Sequence, residues 1–269
     1  MDGRLAIIGS GRMGEALLAG LLRTGTLEPS QIVCTDVRPE RCREVADRYG
    51  IDAHGENRAA VAGADVVLLA VKPQGLAPVV TELAEDLGPE QTVISIAAGI
   101  TTTALEALLP DGVPVVRVMP NTPALVDEGM SLIAGGTNAS QAAVDAAREL
   151  LSAVGEVVEL PEEQVDAATA LSGSGPAYVF LLAEAMIEAG VHLGLGREVA
   201  ATLVGQTLRG SSTLLRDSGE HPALLREAVT SPGGTTAAAL ARFEAAGLRA
   251  TVLEATAACR DRARELGAG

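Results

Sequence analysis

This 269-residue sequence contains no tryptophan and only two tyrosines and two phenylalanines, although 48% of its residues are apolar. Its core must therefore be aliphatic, built from alanine, leucine and valine. Three cysteines, Cys34, Cys42 and Cys259, form an odd set without metal-ligand spacing. Such a set fits a reducing cytoplasm better than a disulfide framework, and no metal site is predicted.

Positive charge is also scarce, since the net charge is −15 and Lys72 is the single lysine. Nucleic acids and anionic membranes need clustered positive charge, so neither is an expected partner. The N-terminus enters an apolar strand pattern at once, which predicts no signal peptide. The most apolar helical segment carries Glu184 and Glu188 near its middle, so a buried or interface helix is expected rather than a membrane span. We expect a soluble, cytoplasmic protein.

Short β-branched runs alternate with helical patterns over residues 1–161. The runs predicted to be strands are RLAIIG, QIVCTD, DVVLLAVKP, TVISIAAG, PVVRVMPN and MSLIAGG. Strands that alternate with helices form βαβ units, so this part is predicted to be an α/β domain of the Rossmann type with a mostly parallel, doubly wound sheet.

Residues 162–269 show no convincing strand and are predicted to form an all-helical domain. Their helix over residues 177–191 is apolar nearly all round, and such a helix must be covered on every side. A second copy of the chain is the expected cover, in a homodimer or a larger assembly of dimers.

A glycine-rich turn separates the first strand from the first helix, and its residues are Gly9, Ser10, Gly11, Arg12, Met13 and Gly14. In the G-x-G-x-x-G pattern, the first glycine permits the tight turn, the second lets a pyrophosphate approach the backbone, and the third lets helix and strand pack closely. The N–H groups at the start of the helix then favour the phosphates. The turn therefore predicts dinucleotide binding.

The choice between NAD and NADP stays open in the sequence. Asp36 ends the second strand about 20 residues after the turn, where an acid can bind a ribose 2′-hydroxyl and favour NAD. Arg38, Arg41 and Arg43 follow, and they either clamp the 2′-phosphate of NADP or lie on the solvated face of the next helix.

Two further strand ends, AVKP at residues 70–73 and SIAAG at residues 95–99, are candidates to line the nicotinamide. Lys72 there is either a charge near the reacting centre or a residue whose backbone alone matters. Asn121, in PNTP, either orients a carboxamide or belongs to a simple tight turn.

The sequence offers few candidates for a general base. His54 is expected in a loop, His192 at a helix end and His221 in a turn, and the helical half has no lysine. Reduction of a carbon–nitrogen double bond fits this shortage, because the imine takes its proton from water and a hydroxyl suffices to hold the nitrogen. The loop SPGGTT at residues 231–236 is either an anion-binding nest of N–H groups and hydroxyls or a capped sharp turn.

Six segments occur in the order and spacing of the pyrroline-5-carboxylate reductase family: IIGSGRMGEALLAGLL, AVKPQ, SIAAGIT, MPNTPALV, LSGSGPAYVFLLAEAM and VTSPGGTTAAAL. The chain resembles this family over essentially its whole length. The resemblance implies an NADP(H)- or NAD(H)-dependent enzyme that reduces pyrroline-5-carboxylate to proline. It also implies a Rossmann domain, a helical dimerisation domain, and a homodimer or a pentamer of dimers.

The resemblance implies site residues as well. Gly11, Arg12 and Met13 look like the pyrophosphate site, and Asn57 looks like the ribose contact. The positions that resemble the family's nicotinamide wall are Ala70, Val71, Lys72, Pro73, Ala97 and Ala98. In the loop SPGGTT, the carboxylate-binding positions match Ser231, Gly234 and Thr235, and the hydroxyl that meets the ring nitrogen matches Thr236.

The family builds each active site from this loop of one subunit and the cofactor domain of another. Asp36 departs from the small polar residues that often stand there, which puts the usual NADPH preference in doubt. Two other functions stay open: a related imine or keto-acid reductase, and a regulatory protein that senses a dinucleotide without catalysis.

Overall fold

The computed structural model describes residues 3–267, which form two compact units. The N-terminal unit comprises residues 3–174 and 259–267, and the helical unit comprises residues 175–258. The domain boundary predicted at residue 161 stays a prediction. It differs from this division because the helix that follows it packs its Val165 against the sheet of the N-terminal unit.

The N-terminal unit contains one eight-stranded sheet, whose spatial order is β3-β2-β1-β4-β5-β6-β7-β8. The strands are Leu5–Ile8 (β1), Ile32–Thr35 (β2), Asp52–His54 (β3), Val66–Leu69 (β4), Thr92–Ser95 (β5), Val115–Met119 (β6), Gly129–Gly135 (β7) and Gly155–Glu159 (β8). Neighbouring strands are parallel except for β6 and β7, which run antiparallel. The predicted Rossmann-type fold with a mostly parallel sheet is confirmed.

Two strands were not predicted, and both lie at an edge of the sheet. β3 has three residues, of which Asp52 and His54 are polar, and β8 has only exposed and half-buried positions. Neither carries the continuous apolar run that marks a buried parallel strand. The prediction of a loop at His54 was wrong for this reason, because this residue ends β3.

Seven helices of the N-terminal unit flank the sheet: Arg12–Thr24 (α1), Pro39–Tyr49 (α2), Asn57–Val61 (α3), Pro73–Leu83 (α4), Thr102–Glu106 (α5), Gln141–Ser152 (α6) and Glu162–Ser172 (α7). Short 3₁₀ helices lie at Pro29–Gln31, Ala84–Asp86 and Thr122–Val126. Proline at the first position starts α2 and α4, where its missing N–H costs nothing.

The core lies on both faces of the sheet and is aliphatic. Successive side chains of a strand point to opposite faces, so Leu5 and Ile7 join one buried cluster and Ala6 and Ile8 join the other. α1 and α6 cover the first face, and α3, α4 and α5 cover the second. A fully buried leucine such as Leu18 contributes about 1.5–3 kcal/mol.

The helical unit is formed by Gly175–His192 (α8), Arg197–Ser218 (α9), Pro222–Ala228 (α10), Thr235–Ala245 (α11) and the first part of Leu248–Gly267 (α12). α8 packs closely on α9, where a Cβ at Gly190 would lie 3.0 Å from that of Ala200. Ala200 and Val204 are nevertheless the only buried residues among 175–258. A unit of this size cannot be stable with so small a core, so other surface must cover it.

Large apolar side chains of the helical unit are exposed, among them Phe180, Leu181 and Leu253 at 65%, 67% and 70%, and this exposed apolar surface is called the apolar face. By length and composition, the segment Glu162–His192 could also cross a membrane, and within the described residues it is little buried.

Candidate functional site

The glycine turn between β1 and α1 has the geometry that each glycine predicts. Gly9 adopts φ +103°, which an L side chain rarely adopts. A Cβ at Gly14 would lie 2.4 Å from the carbonyl oxygen of Gly9, so only glycine lets the helix pack this closely. A Cβ at Gly11 would meet no protein atom within 4 Å, which leaves this backbone open to a ligand.

The register of three strands places the turn at the mouth of a cleft. Ile8 pairs with Thr35 of β2 on one side and with Leu69 of β4 on the other, so the ends of β1, β2 and β4 are level. A cleft of about 380 Å³ opens there, at the point where the strand order reverses. Its lining is Ile8, Gly9, Gly11, Thr35, Asp36, Val37, Arg38, Asn57, Ala70, Val71, Lys72 and Val79.

Asp36 is held from two sides at this cleft. Its Oδ2 accepts hydrogen bonds from the Ser10 hydroxyl at 2.8 Å and the Ser10 backbone N–H at 3.3 Å. Its Oδ1 accepts from the backbone N–H and the Nε of Arg38, both at 3.0 Å. Burial alone would raise the pKa of Asp36, but the hydrogen bonds from Arg38 and Ser10 outweigh it and the pKa lies below its ordinary value. The carboxylate is therefore ionised at neutral pH.

Arg41 supports the turn from behind. Its Nε donates to the carbonyl oxygen of Ser10 at 3.0 Å, and its guanidinium pairs with Glu15 and Glu44. Burial raises the pKa of Glu15, but the hydrogen bonds from Arg41 and Tyr49 outweigh it and lower the pKa. Arg41 therefore holds the glycine turn in place through contacts within the N-terminal unit.

Other predicted cofactor residues lie along the same edge of the sheet. Asn57 begins α3, and its Oδ1 accepts from the Thr35 hydroxyl at 2.7 Å. Lys72 and Pro73 stand at the start of α4, and Ala97 is buried after β5. These positions fit a dinucleotide in the cleft, while their individual contacts stay predictions.

Arg12 and Met13 open α1, where Arg12 is exposed and Met13 packs partly against the core. The cap of this helix is Gly11, which has no side chain to bond the first N–H groups. α5 and α6 differ, because the Thr101 and Ser140 side chains cap them. The start of α1 is therefore available to phosphate.

Asn121 is used within the N-terminal unit. Its Nδ2 donates to the carbonyl oxygen of Ser172 at 2.9 Å, and its Oδ1 accepts from the Met130 N–H at 2.9 Å. These bonds tie the end of β6 to α7 and β7. These hydrogen bonds explain the position of Asn121 without a ligand, and its predicted contact with a carboxamide stays a prediction.

The loop SPGGTT precedes α11 in the helical unit. Gly233 adopts φ +69°, and the Gly234 N–H donates to the carbonyl oxygen of Ser231 at 3.0 Å. Gly234 caps α11, and Thr235 and Thr236 are its first two residues. No side chain caps this helix, so its first N–H groups have no capping side chain as a partner, and the two threonine hydroxyls belong to the same first turn. This is the geometry of an anion nest.

Sequence reasoning missed a second cavity of about 320 Å³ in the N-terminal unit. Its lining is Ala98, Gly99, Arg117, Met119, Asp166, Thr169, Ser174, Cys259, Arg262 and Ala263. Buried Arg117 pairs there with Glu162 and Asp166, at 3.2 and 3.0 Å. Cys259 donates to the Ser174 hydroxyl at 3.2 Å across a long span of sequence. No local pattern marks these pairs.

Among the residues that the structure describes, no three or more histidine, cysteine, aspartate or glutamate side chains are grouped closely enough to hold a metal ion.

Comparison with known proteins identifies two family models along the chain. Residues 162–266 match the model described as pyrroline-5-carboxylate reductase dimerisation, and residues 4–99 match NADP oxidoreductase coenzyme F420-dependent. The dimerisation model covers α8 and its apolar face, so the chain forms a homo-oligomer through this region.

Relatives and solved structures agree over nearly the whole length. Pyrroline-5-carboxylate reductase of Corynebacterium melassecola is 44% identical, covering 98% of both chains. The enzyme of Pseudomonas aeruginosa is 47% identical, covering 98% of this chain and 96% of its own. The structure from Coxiella burnetii matches with a TM-score of 0.95 at 35% identity, covering 99% of both chains. The Plasmodium falciparum structure with NADP bound has a TM-score of 0.88 at 30% identity, covering 99% of this chain and 98% of its own. The resemblance seen in the sequence motifs is confirmed, and the chain belongs to the pyrroline-5-carboxylate reductase family.

Proposed function

We propose that this chain reduces L-1-pyrroline-5-carboxylate to L-proline with a reduced nicotinamide dinucleotide. The observation that carries the proposal is the full-length similarity to pyrroline-5-carboxylate reductases, joined to a cleft that fits the dinucleotide. One hydride, which the bound dihydronicotinamide supplies, adds to the imine carbon, and one proton from water ends on the ring nitrogen. The products are proline and the oxidised dinucleotide.

The N-terminal unit has the task of holding the dinucleotide. The free N–H groups at the start of α1 bind the pyrophosphate, because Gly11 leaves them uncapped. Asn57 and Asp36 lie where the adenosine ribose would contact β2 and α3. The small residues Ala70 and Ala98 let the nicotinamide lie against backbone.

The loop SPGGTT has the task of holding the substrate. The Ser231 hydroxyl and the N–H groups at the start of α11 bind the carboxylate, which needs no lysine in such a nest. The Thr236 hydroxyl bonds the ring nitrogen and orients the imine. No strong protein base is needed, since a cyclic imine is protonated by water before hydride arrives.

The assembly proposed is a homodimer, or a pentamer of dimers, in which the loop of one subunit completes the site on another. The exposed apolar face of the helical unit supports this proposal. Light scattering after size exclusion measures the number of copies, and a fully active monomer contradicts the shared site. A cytoplasmic location is likewise a proposal, which cell fractionation tests.

The test of function is the oxidation of NADH and of NADPH by purified protein with pyrroline-5-carboxylate, followed at the absorbance of the reduced cofactor. Turnover with at least one cofactor is expected, and none with either contradicts the proposal. A panel of other cyclic imines and 2-keto acids distinguishes a related reductase. Dinucleotide binding without any turnover indicates a regulatory protein instead.

Substitution Thr236→Ala tests the role of the hydroxyl. We expect kcat to fall by about 10- to 100-fold, because one oriented hydrogen bond to the reacting group is lost, while dinucleotide binding stays unchanged. Thr81→Ala is a matched control, since Thr81 is exposed on α4 and away from the loop in the sequence. An unchanged kcat in Thr236→Ala removes the role given to this residue.

A further inference from the structure

The adenosine end of the cleft contains a fixed negative charge. The Asp36 side chain is only 9% exposed, and its two oxygens accept five hydrogen bonds, two from Ser10 and three from Arg38. A carboxylate gripped in this way cannot swing away when a ligand enters. Two of these hydrogen bonds are long, at 3.3 Å from the Ser10 N–H and 3.4 Å from the Arg38 Nη2, so a ribose hydroxyl can replace the weaker of them.

Asp36 already occupies the donors that a second anion would need. The Ser10 hydroxyl, the Ser10 N–H and the Arg38 N–H all point at its carboxylate. These donors lie between the glycine turn and the start of α2, where an anion is favoured by N–H groups and helix dipoles. The side chain therefore acts as the resident anion of this pocket.

The cations near this end are committed to acids. Arg38 pairs with Asp36 itself, and Arg41 pairs with Glu15 and Glu44 and bonds the backbone of the turn. Lys72 lines the same cleft but follows β4, on the far side of β1 from β2. Arg43 is exposed on α2 and does not line the cleft.

From these contacts we infer that the cleft selects a dinucleotide with a free adenosine 2′-hydroxyl, and that Asp36 is the residue that decides this specificity. The ribose hydroxyl donates to the carboxylate, whereas a 2′-phosphate brings about two further negative charges against it. The enzyme then prefers NADH to NADPH. This inference rests on the proposed function only in that the cleft holds a dinucleotide.

The test compares binding of AMP and of 2′,5′-ADP to the full-length protein by isothermal titration calorimetry. Both probes have a single 5′-phosphate, differ only in the 2′-phosphate and contain no nicotinamide, so the result does not depend on the substrate or on catalysis. We expect AMP to bind at least about tenfold more tightly, and the ratio of the two dissociation constants to shrink at high salt, which screens the repulsion. Equal or tighter binding of 2′,5′-ADP by the wild-type protein overturns the inference.

Substitutions Asp36→Ser and Asp36→Asn assign the preference to this side chain. Asp36→Ser removes the resident anion and releases Arg38, so the ratio should move at least about tenfold toward 2′,5′-ADP. Asp36→Asn keeps the shape and should move it in the same direction. Asp47→Asn is the control, because it removes an exposed acid from α2, the helix that follows Asp36, and should leave the ratio unchanged.

The ratio of the two dissociation constants within each variant decides whether Asp36 discriminates, since a general weakening of the turn affects the binding of both probes alike. If both Asp36 variants keep the wild-type ratio, the side chain does not discriminate and the inference fails. If neither variant folds, the wild-type ratio and its dependence on salt still decide. Kinetics offer a second readout, in which kcat/KM should favour NADH over NADPH. Failure of this preference leaves the proposed reduction of pyrroline-5-carboxylate intact.

Discussion

Gly11 and Gly14, two glycines of the turn, should respond differently when each is replaced by alanine. Gly14→Ala adds a Cβ 2.4 Å from the carbonyl oxygen of Gly9, closer than the 3.0 Å below which such contacts are essentially never seen. Gly11→Ala adds a Cβ that meets nothing within 4 Å, at φ −65° and ψ −178°, which alanine adopts freely. The first change disturbs the fold, and the second disturbs only a ligand.

The magnitudes follow from packing and helix propensity. Overpacking against backbone costs about 1–3 kcal/mol, and alanine inside a helix regains about 1 kcal/mol over glycine. Because the close contact is with backbone, which cannot move aside as the end of a side chain can, the overpacking cost lies near about 3 kcal/mol. Gly14→Ala should therefore lower the free energy of unfolding by about 2 kcal/mol, which corresponds to a fall in Tm of about 4–8 °C for a chain of this size. Gly11→Ala should change it by less than about 0.5 kcal/mol.

The assay pairs thermal unfolding with calorimetric titration of ADP, at one protein concentration because the chain is an oligomer. We expect Gly14→Ala to melt early, and Gly11→Ala to melt with the wild type but bind ADP at least about tenfold more weakly. The reasoning is refuted if Gly14→Ala is as stable as the wild type, or if Gly11→Ala binds ADP undiminished.

Three further predictions concern charge and assembly. Asp36 and Glu15 have pKa values below their ordinary 3.8 and 4.5. The stability that the two ionised carboxylates contribute is therefore present above pH 4.5 and is lost as the pH falls through and below the ordinary pKa values. Urea unfolding at neutral pH and near pH 3.5 measures this loss, and an unchanged free energy of unfolding contradicts it. Arg117→Ala should cost about 1–3 kcal/mol in urea unfolding, because it removes a buried guanidinium that pairs with two acids. Asp166 then loses this partner, while Glu162 keeps its hydrogen bonds from Thr102. The exposed pair of Arg148 should be worth less than about 1 kcal/mol when Arg148→Ala removes it, and equal costs contradict the distinction. Phe180→Asp places a charge on the apolar face and should dissociate the oligomer and abolish activity; light scattering checks the first, and an intact, active assembly argues against the interface.

The N-terminal unit was largely predictable because its signals are local. Buried parallel strands such as β1 and β4 require continuous apolar runs, and the turn at residues 9–14 requires glycine for reasons of backbone geometry. Each signal lies within a few consecutive residues. The edge strands β3 and β8 were missed because one side of each has no neighbouring strand, which relaxes the demand for apolar side chains.

The site was predictable as a set of positions but not as a set of partners. The sequence places Asp36 at the end of a strand and offers Arg38, Arg41 and Arg43 as candidates for a phosphate clamp. Tertiary contacts assign Arg38 to Asp36 and direct Arg41 to Glu15 and the backbone of Ser10. Hydrogen bonds between residues far apart in the chain depend on how elements pack, and no local periodicity records that.

Composition alone determined that the core is aliphatic. The pattern of residues 177–191 determined that the helical half needs a cover, because a helix that is apolar nearly all round cannot face water. Only the folded chain showed how large the need is: within residues 175–258, Ala200 and Val204 alone are buried. Hydrophobicity along a sequence gives the area that must leave water, while the packing of helices decides how much of it one chain can bury. A second copy of the chain covers the apolar area that one chain cannot bury.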